Sequence, residues 1–132
     1  MKKRRTYKGR KISKGEKQIA QFFDLHNIEY TREKTFKECV NLRGNLLRFD
    51  FYLEQFNVLI EFQGIHHYDP INKYRRAKIV HDKTVIHDII KKEFTISNQI
   101  NLIEIHYKDY ENIEIILLEL LYEINTYLKG EK

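Results

Sequence analysis

Two carboxylates, an amide and two adjacent histidines fall within one stretch, Leu47 to Pro70: Asp50, Glu61, Gln63, His66 and His67. The stretch reads as a hairpin. Leu47, Phe49, Phe51 and Leu53 alternate with Arg48, Asp50 and Tyr52, which places the two sets on opposite faces of a strand. Val58 to Gln63 is a second, β-rich run with Glu61 and Gln63 at alternate positions, and Glu54 to Asn57 is short enough to be the turn between them. With Gln55 and Phe56 at the centre of that turn, Tyr52 lies opposite Leu59, Asp50 opposite Glu61 and Arg48 opposite Gln63. Directly opposed residues share a face, and opposed like charges destabilise a sheet. A chain that keeps Asp50 beside Glu61 is therefore expected to place a cation between them. Carboxylate and carbonyl oxygens favour a hard ion such as magnesium.

The elements that must position this hairpin can be read from the same sequence. Ser13-Lys14-Gly15-Glu16 has the form of a capping box, and Ile19, Phe22, Phe23 and His26 follow at helical spacing, so a helix is expected from Lys14 to His26 with Asn27 as its stop. His26 reads as half-buried packing on it. Ile28 to Phe36 holds a short strand anchored by Tyr30 and Phe36, and Lys37 to Asn45 reads as a loop around Gly44. After the hairpin, Asn72 to Lys78 is expected to be exposed. A second helix starts near Ile79, with Ile79, Ile86, Ile89, Ile90 and Phe94 as its buried stripe and Asn98 as its end. Ile100 to His106 is a buried strand. Asp109 is the expected N-cap of a last helix whose apolar face is Ile113, Ile116, Leu117, Leu120, Ile124 and Leu128. The order is helix, strand, hairpin, helix, strand, helix, which is an α/β fold with a central mixed β-sheet flanked by helices.

Composition bounds the reading. A chain of 132 residues is the size of one domain with one real core, and 42% hydrophobic with 33% charged residues is globular composition. No apolar run reaches the length of a membrane span, and no apolar segment follows the basic N-terminus as in a secretory signal, so no membrane association is expected. The single cysteine, Cys39, excludes an intramolecular disulfide and a Cys-based zinc site, and a cytoplasmic setting fits it. The net charge of +5 is uneven: residues 1–14 hold eight Lys or Arg and no acid, which leaves the rest of the chain net negative. Residues 1–12 read as a flexible basic arm and 13–132 as a single domain. Lys2, Lys3, Arg4 and Arg5 in the arm, with Arg75, Arg76 and Lys78 in a second basic stretch, suit the phosphates of nucleic acid; a solubilising terminus is the plainer alternative for the arm.

Glu16 on a first helix, Asp50 in a hairpin strand, Glu61-Phe62-Gln63 in the next strand, then a helix and a buried strand together resemble the PD-(D/E)XK nuclease superfamily. The run Ile60-Glu61-Phe62-Gln63-Gly64-Ile65-His66-His67-Tyr68, followed by His87-Asp88 and Lys91, is similar to its Vsr-like branch of very-short-patch-repair and phage homing endonucleases, with their E-D-xH-D constellation. The likeness runs from about Ser13 to about Tyr107. It implies a restriction-endonuclease-like core and a divalent-metal-dependent endonuclease acting on DNA, with Mg2+ as cofactor, Mn2+ as a substitute and no nucleotide cofactor. Phe49 stands where the superfamily's name has Pro, and Gln63 stands where it has Lys. The branch assigns part of the lysine's work to a histidine, which His67 matches best, with His66 as the fallback.

Phosphodiester hydrolysis needs charge neutralisation, an activated water and a proton for the leaving oxygen. Asp50 and Glu61, with the backbone carbonyl of Phe62, are the expected metal ligands. His67 is the candidate acid or base. Gln63, Glu16, Asp88 and Lys91 complete the candidate catalytic set. Two of these have a plain alternative: Glu16 closes the capping box, and Asp88 forms a surface ion pair with Lys91 or Lys92. His81 and His87 read as surface residues, and Tyr68 and Tyr74 as core aromatics or phosphate contacts. A non-catalytic nucleic-acid-binding module and a nuclease for RNA or branched junctions remain alternatives to cleavage of double-stranded DNA. One domain carries one site, so cutting both strands requires a homodimer or two successive events.

Overall fold

The computed structural model describes residues 12–64 and 75–128, and the side chains within them apart from 75–81 and 127–128. The order is α1 (Lys14–Leu25), β1 (Thr31–Val40), β2 (Leu46–Leu53), β3 (Val58–Gln63), α2 (Arg75–Ser97), β4 (Asn101–His106), a 3-10 turn (Tyr107–Asn112) and α3 (Ile113–Leu128). One four-stranded mixed sheet runs β1-β2-β3-β4, antiparallel at the first two junctions and parallel at the third. Parallel neighbours cannot be joined by a tight turn, so the chain between β3 and β4 carries α2 as its crossover helix.

The sheet is covered on both faces. On one, Ile19, Phe22 and Phe23 of α1 and Ile113, Leu117 and Leu120 of α3 pack with Phe51, Leu53, Val58, Ile60 and Ile105. On the other, Cys39, Leu47, Phe49 and Leu59 form a second cluster against which Ile90 and Phe94 of α2 pack. A strand covered twice must be apolar on both sides, which is why Val58, Leu59 and Ile60 are consecutive buried residues.

The hairpin has the expected register: Tyr52 pairs with Leu59, Phe51 with Ile60 and Leu53 with Val58 across a four-residue turn that Asn57 closes in the left-handed region, φ 57°. The expected alternation does not hold. Leu47 and Phe49 belong to the α2-side cluster, Phe51 and Leu53 to the opposite one. The cause lies in the neighbouring strand. Glu33, which the β1–β2 register places opposite Asp50, has φ 53°. That left-handed residue turns Arg32 towards α1 and Lys34 towards the rings of Phe36 and Tyr52. Strands β1 and β2 change faces together at 33 and 50. A non-glycine residue held there costs about 1–3 kcal/mol, and such strain gathers where function fixes the backbone.

Other boundaries also shift. Strand β1 extends to Val40, through part of the segment expected as a loop, because Val40 pairs with Leu46 after a register shift and Cys39 fills the α2-side core. Helix α2 is already formed at Arg75, ahead of the expected start at Ile79. The last helix is entered through the 3-10 turn, with Asp109 inside that turn rather than at an N-cap. His26 is exposed, stacked on Phe22 with ring centroids 4.2 Å apart.

Helix α2 is oriented against its expected stripe. Val85, Ile86, Ile89 and Ile96 are exposed, while Thr84, His87, Asp88, Lys91 and Thr95 are partly or fully covered. Its polar side faces the sheet. Only Ile90 and Phe94 of the expected stripe pack on the sheet; the side chain of Ile79 lies outside the described residues.

Helix α1 meets β3 through Gly15. A Cβ there would fall inside the Phe62 ring. Gly15→Ala is therefore expected to destabilise the protein by about 1–3 kcal/mol through overpacking, although alanine is the better helix former. Urea unfolding of the variant measures this, and an unchanged midpoint would refute the close approach.

Candidate active site

Where β2 and β3 reach Asp50 and Glu61, side chains take over from backbone pairing. The N–H of Asp50 donates to Glu61 Oε2 at 3.0 Å, and the N–H of Phe62 donates to Asp50 Oδ2 at 2.8 Å. The carbonyl of Asp50 accepts from Nε of Arg32 at 3.2 Å. Each carboxylate is thus anchored on the other's strand. The expected opposition of the two acids is what the register delivers.

Glu61 is 5% exposed, and the cation beside it comes from α2: Lys91 Nζ lies 3.1 Å from Oε1 and 3.3 Å from Oε2. The aliphatic stem is sheltered, with Nζ 5.1 Å from the centroid of Phe49. Burial raises the Glu61 carboxyl pKa, and Lys91 opposes that rise. Among the described residues Asp50 has no such partner. Burial first, then the charges of Glu61 and Glu16, push its pKa well above the ordinary carboxylate range, with the Phe62 N–H and Lys91 offsetting only part. Among the described residues nothing donates a hydrogen bond to its Oδ1. A half-buried carboxylate with a raised pKa and an oxygen that accepts nothing from the described residues could serve as a cation ligand.

Glu16 is a helix cap with a second partner. It completes the capping box with Ser13, and its Oε1 lies 3.3 Å from Nη2 of Arg32, both side chains being buried. Its charge also acts on Asp50.

Gln63 does not stand free as a substitute for the lysine of the motif. Its Nε2 donates to Glu104 Oε2 of β4 at 2.7 Å, and Glu104 pairs in turn with Lys92 at 3.4 Å. Lys91 and Lys92 therefore reach Glu61 and Glu104 on the sheet. Asp88 is half-buried on the α2 side that carries Lys91, and its charge acts on Glu61. His87 is half-buried rather than a surface residue. Burial, then Lys91 and Lys83, lower its pKa, so it is neutral at pH 7.

The arm residues Lys2, Lys3, Arg4 and Arg5, the candidate acid or base His67 with His66, and Tyr68 and Tyr74 lie outside the described residues, as do the side chains of Arg75, Arg76, Lys78 and His81.

Sequence reasoning missed Arg32 and Glu104, and it read His87 as a surface residue. An acid within the apolar run Asn101 to His106 was a signal for a partnered Glu104, and His87 lies one helical turn before Lys91. Nothing in the neighbourhood of Arg32 marks it.

Among the described residues no three His, Cys, Asp or Glu side chains converge as a ready-made metal cage. The donor set is instead two carboxylates, which suits magnesium, an ion bound through one or two carboxylates while it keeps several waters. No helix among the described residues is long and apolar enough to cross a membrane. The chain matches no protein-family model, no curated protein and no solved structure.

Proposed function

We propose that this chain is a divalent-cation-dependent phosphodiesterase that cleaves DNA, on a restriction-endonuclease-like arrangement of α1, the β1–β3 strands, α2 and β4. The observation that carries this reading is the pair of half-buried Asp50 and buried Glu61, brought together where backbone pairing gives way, with the Lys91 ammonium against Glu61. Structural ion pairs seldom keep two adjacent carboxylates on one cation, because the second remains uncompensated.

Asp50 and Glu61 would hold a magnesium or manganese ion, with the carbonyl of Phe62 as a further oxygen donor. When bound, the cation supplies charge neutralisation on the phosphate and a water of lowered pKa. Lys91 favours the ionised form of Glu61 and brings a positive charge that Gln63 cannot supply. With its pKa raised, the Asp50 carboxylate would bind a cation in competition with protons, which would couple binding to pH. His87, neutral at pH 7, is available on the same side of α2 to accept a proton. The basic arm and the start of α2 supply phosphate contacts in this reading.

Incubation of the purified full chain with supercoiled plasmid in Mg2+ or Mn2+, beside an EDTA control, tests it. Nicked or linear product that EDTA prevents is the expected result. Plasmid left intact in both metals, with DNA binding retained, would favour a binding module on this fold; cleavage confined to RNA or four-way junctions would move the substrate to those classes.

A further inference from the structure

We propose that Arg32 is a positioning residue for the acid pair: from β1 it fixes the carbonyl of Asp50 where β2 leaves its regular pairing, and it takes Glu16 as its counter-ion. The assignment rests on the cation-dependent reading above. The guanidinium is buried, its side chain 4% exposed, and its contacts include Nε to Asp50 O at 3.2 Å and Nη2 to Glu16 Oε1 at 3.3 Å. Its Cζ lies 4.5 Å from the Phe51 ring centroid, a stacking that holds the planar group between α1 and the sheet.

Residue 50 is thereby held at both ends. Glu61 accepts from its N–H, and Arg32 donates to its carbonyl. The carboxylate of Asp50 can reach the N–H of Phe62 on β3 only while that peptide keeps its orientation, and the left-handed Glu33 beside Arg32 is what aims the arginine there. Arg32 also places a positive charge against Glu16, one of the carboxylates acting on Asp50. A lysine could satisfy the charge but not the fork, since it lacks the planar set of donors. Displacement of a catalytic group by about 1 Å can cost about 100-fold in rate.

The test uses Arg32→Lys and Arg32→Met in the full chain, assayed well below their melting temperatures. Steady-state cleavage gives kcat and KM for DNA, and calorimetric titration with Mn2+ in the absence of DNA gives cation affinity. The expected result is a kcat lowered about tenfold in Arg32→Lys and about 100-fold in Arg32→Met, weaker Mn2+ binding in the same order, and an unchanged KM. Arg32→Lys keeps a cation beside Glu16 and carries the test if Arg32→Met does not fold. Wild-type kcat and wild-type Mn2+ affinity in a less stable Arg32→Lys protein would show a purely structural arginine and overturn the proposal, leaving the cation-dependent reading intact. A wild-type chain that neither binds Mn2+ nor cleaves nucleic acid overturns both.

Discussion

Asp50→Asn is expected to give a protein that melts higher than the wild type at neutral pH and no longer cleaves. The two effects share a cause. Asp50 is held well above the ordinary carboxylate range by burial and by Glu61 and Glu16. Its folded-state pKa is thus raised above the unfolded value of about 3.9, so the folded protein binds the extra proton and stability falls as pH rises from about 4 through the folded pKa. Burial raises Glu61 in the same direction. An asparagine has no proton to lose, and its side-chain oxygen can still accept from the N–H of Phe62. Melting temperature against pH, without divalent ion, should therefore fall less steeply in Asp50→Asn than in the wild type. Added Mg2+ should raise only the wild-type curve, by mass action on the ionised pair. Cleavage should drop by about 10³-fold, the scale of several kcal/mol of transition-state charge stabilisation. A variant less stable than the wild type across neutral pH would contradict the uncompensated burial of Asp50. Glu61→Gln should behave in the opposite sense, because it strands the Lys91 ammonium at a cost of about 3 kcal/mol.

Lys91→Met is the second large effect. Lys91 is the counter-charge that opposes the upward shift of Glu61, so its loss lets that carboxyl rise further and hold a proton nearer neutrality. Cleavage is expected to fall by roughly 100-fold or more at pH 7, the scale of a positioned acid-base group. The loss should be partly recoverable at higher pH, because the acidic limb of the rate profile moves upward. Single-turnover rates from pH 6 to 9 distinguish this from a lost proton donor, which alkali would not restore. Lys91→Arg keeps the charge, but the guanidinium is bulkier than the ammonium seated against Phe49, so partial activity is expected.

The hairpin was legible in the sequence because strand period and turn length together fix a register, and Asp50 opposite Glu61 follows from that alone. Its face change was not legible. It depends on a left-handed backbone at Glu33, a residue type with no preference for that region, imposed by what surrounds it. The direction of α2 was misread for a related reason. Isoleucines recur along it at near-helical spacing, and hydrophobicity alone places them inward; burial of Glu61 places the amine of Lys91 there instead. Capping at Ser13 and Glu16 was read correctly, while the second duty of Glu16 required Arg32, whose partner lies on another element.

The inverted orientation of α2 bears on the order in which the molecule comes apart. Helices α1 and α3 are fastened to the sheet by the larger apolar cluster, but among its described residues α2 contributes only the half-buried Ile90 and Phe94 to the smaller one, with polar residues beside them. Elements with little apolar burial open at lower free energy than the core. Amides of α2 should therefore exchange with deuterium sooner than those of β3, and divalent ion should slow them selectively by strengthening the acid pair to which Lys91 is tied. The rate of local opening, and not global unfolding, would then limit how long a cation-free preparation keeps its assembled site.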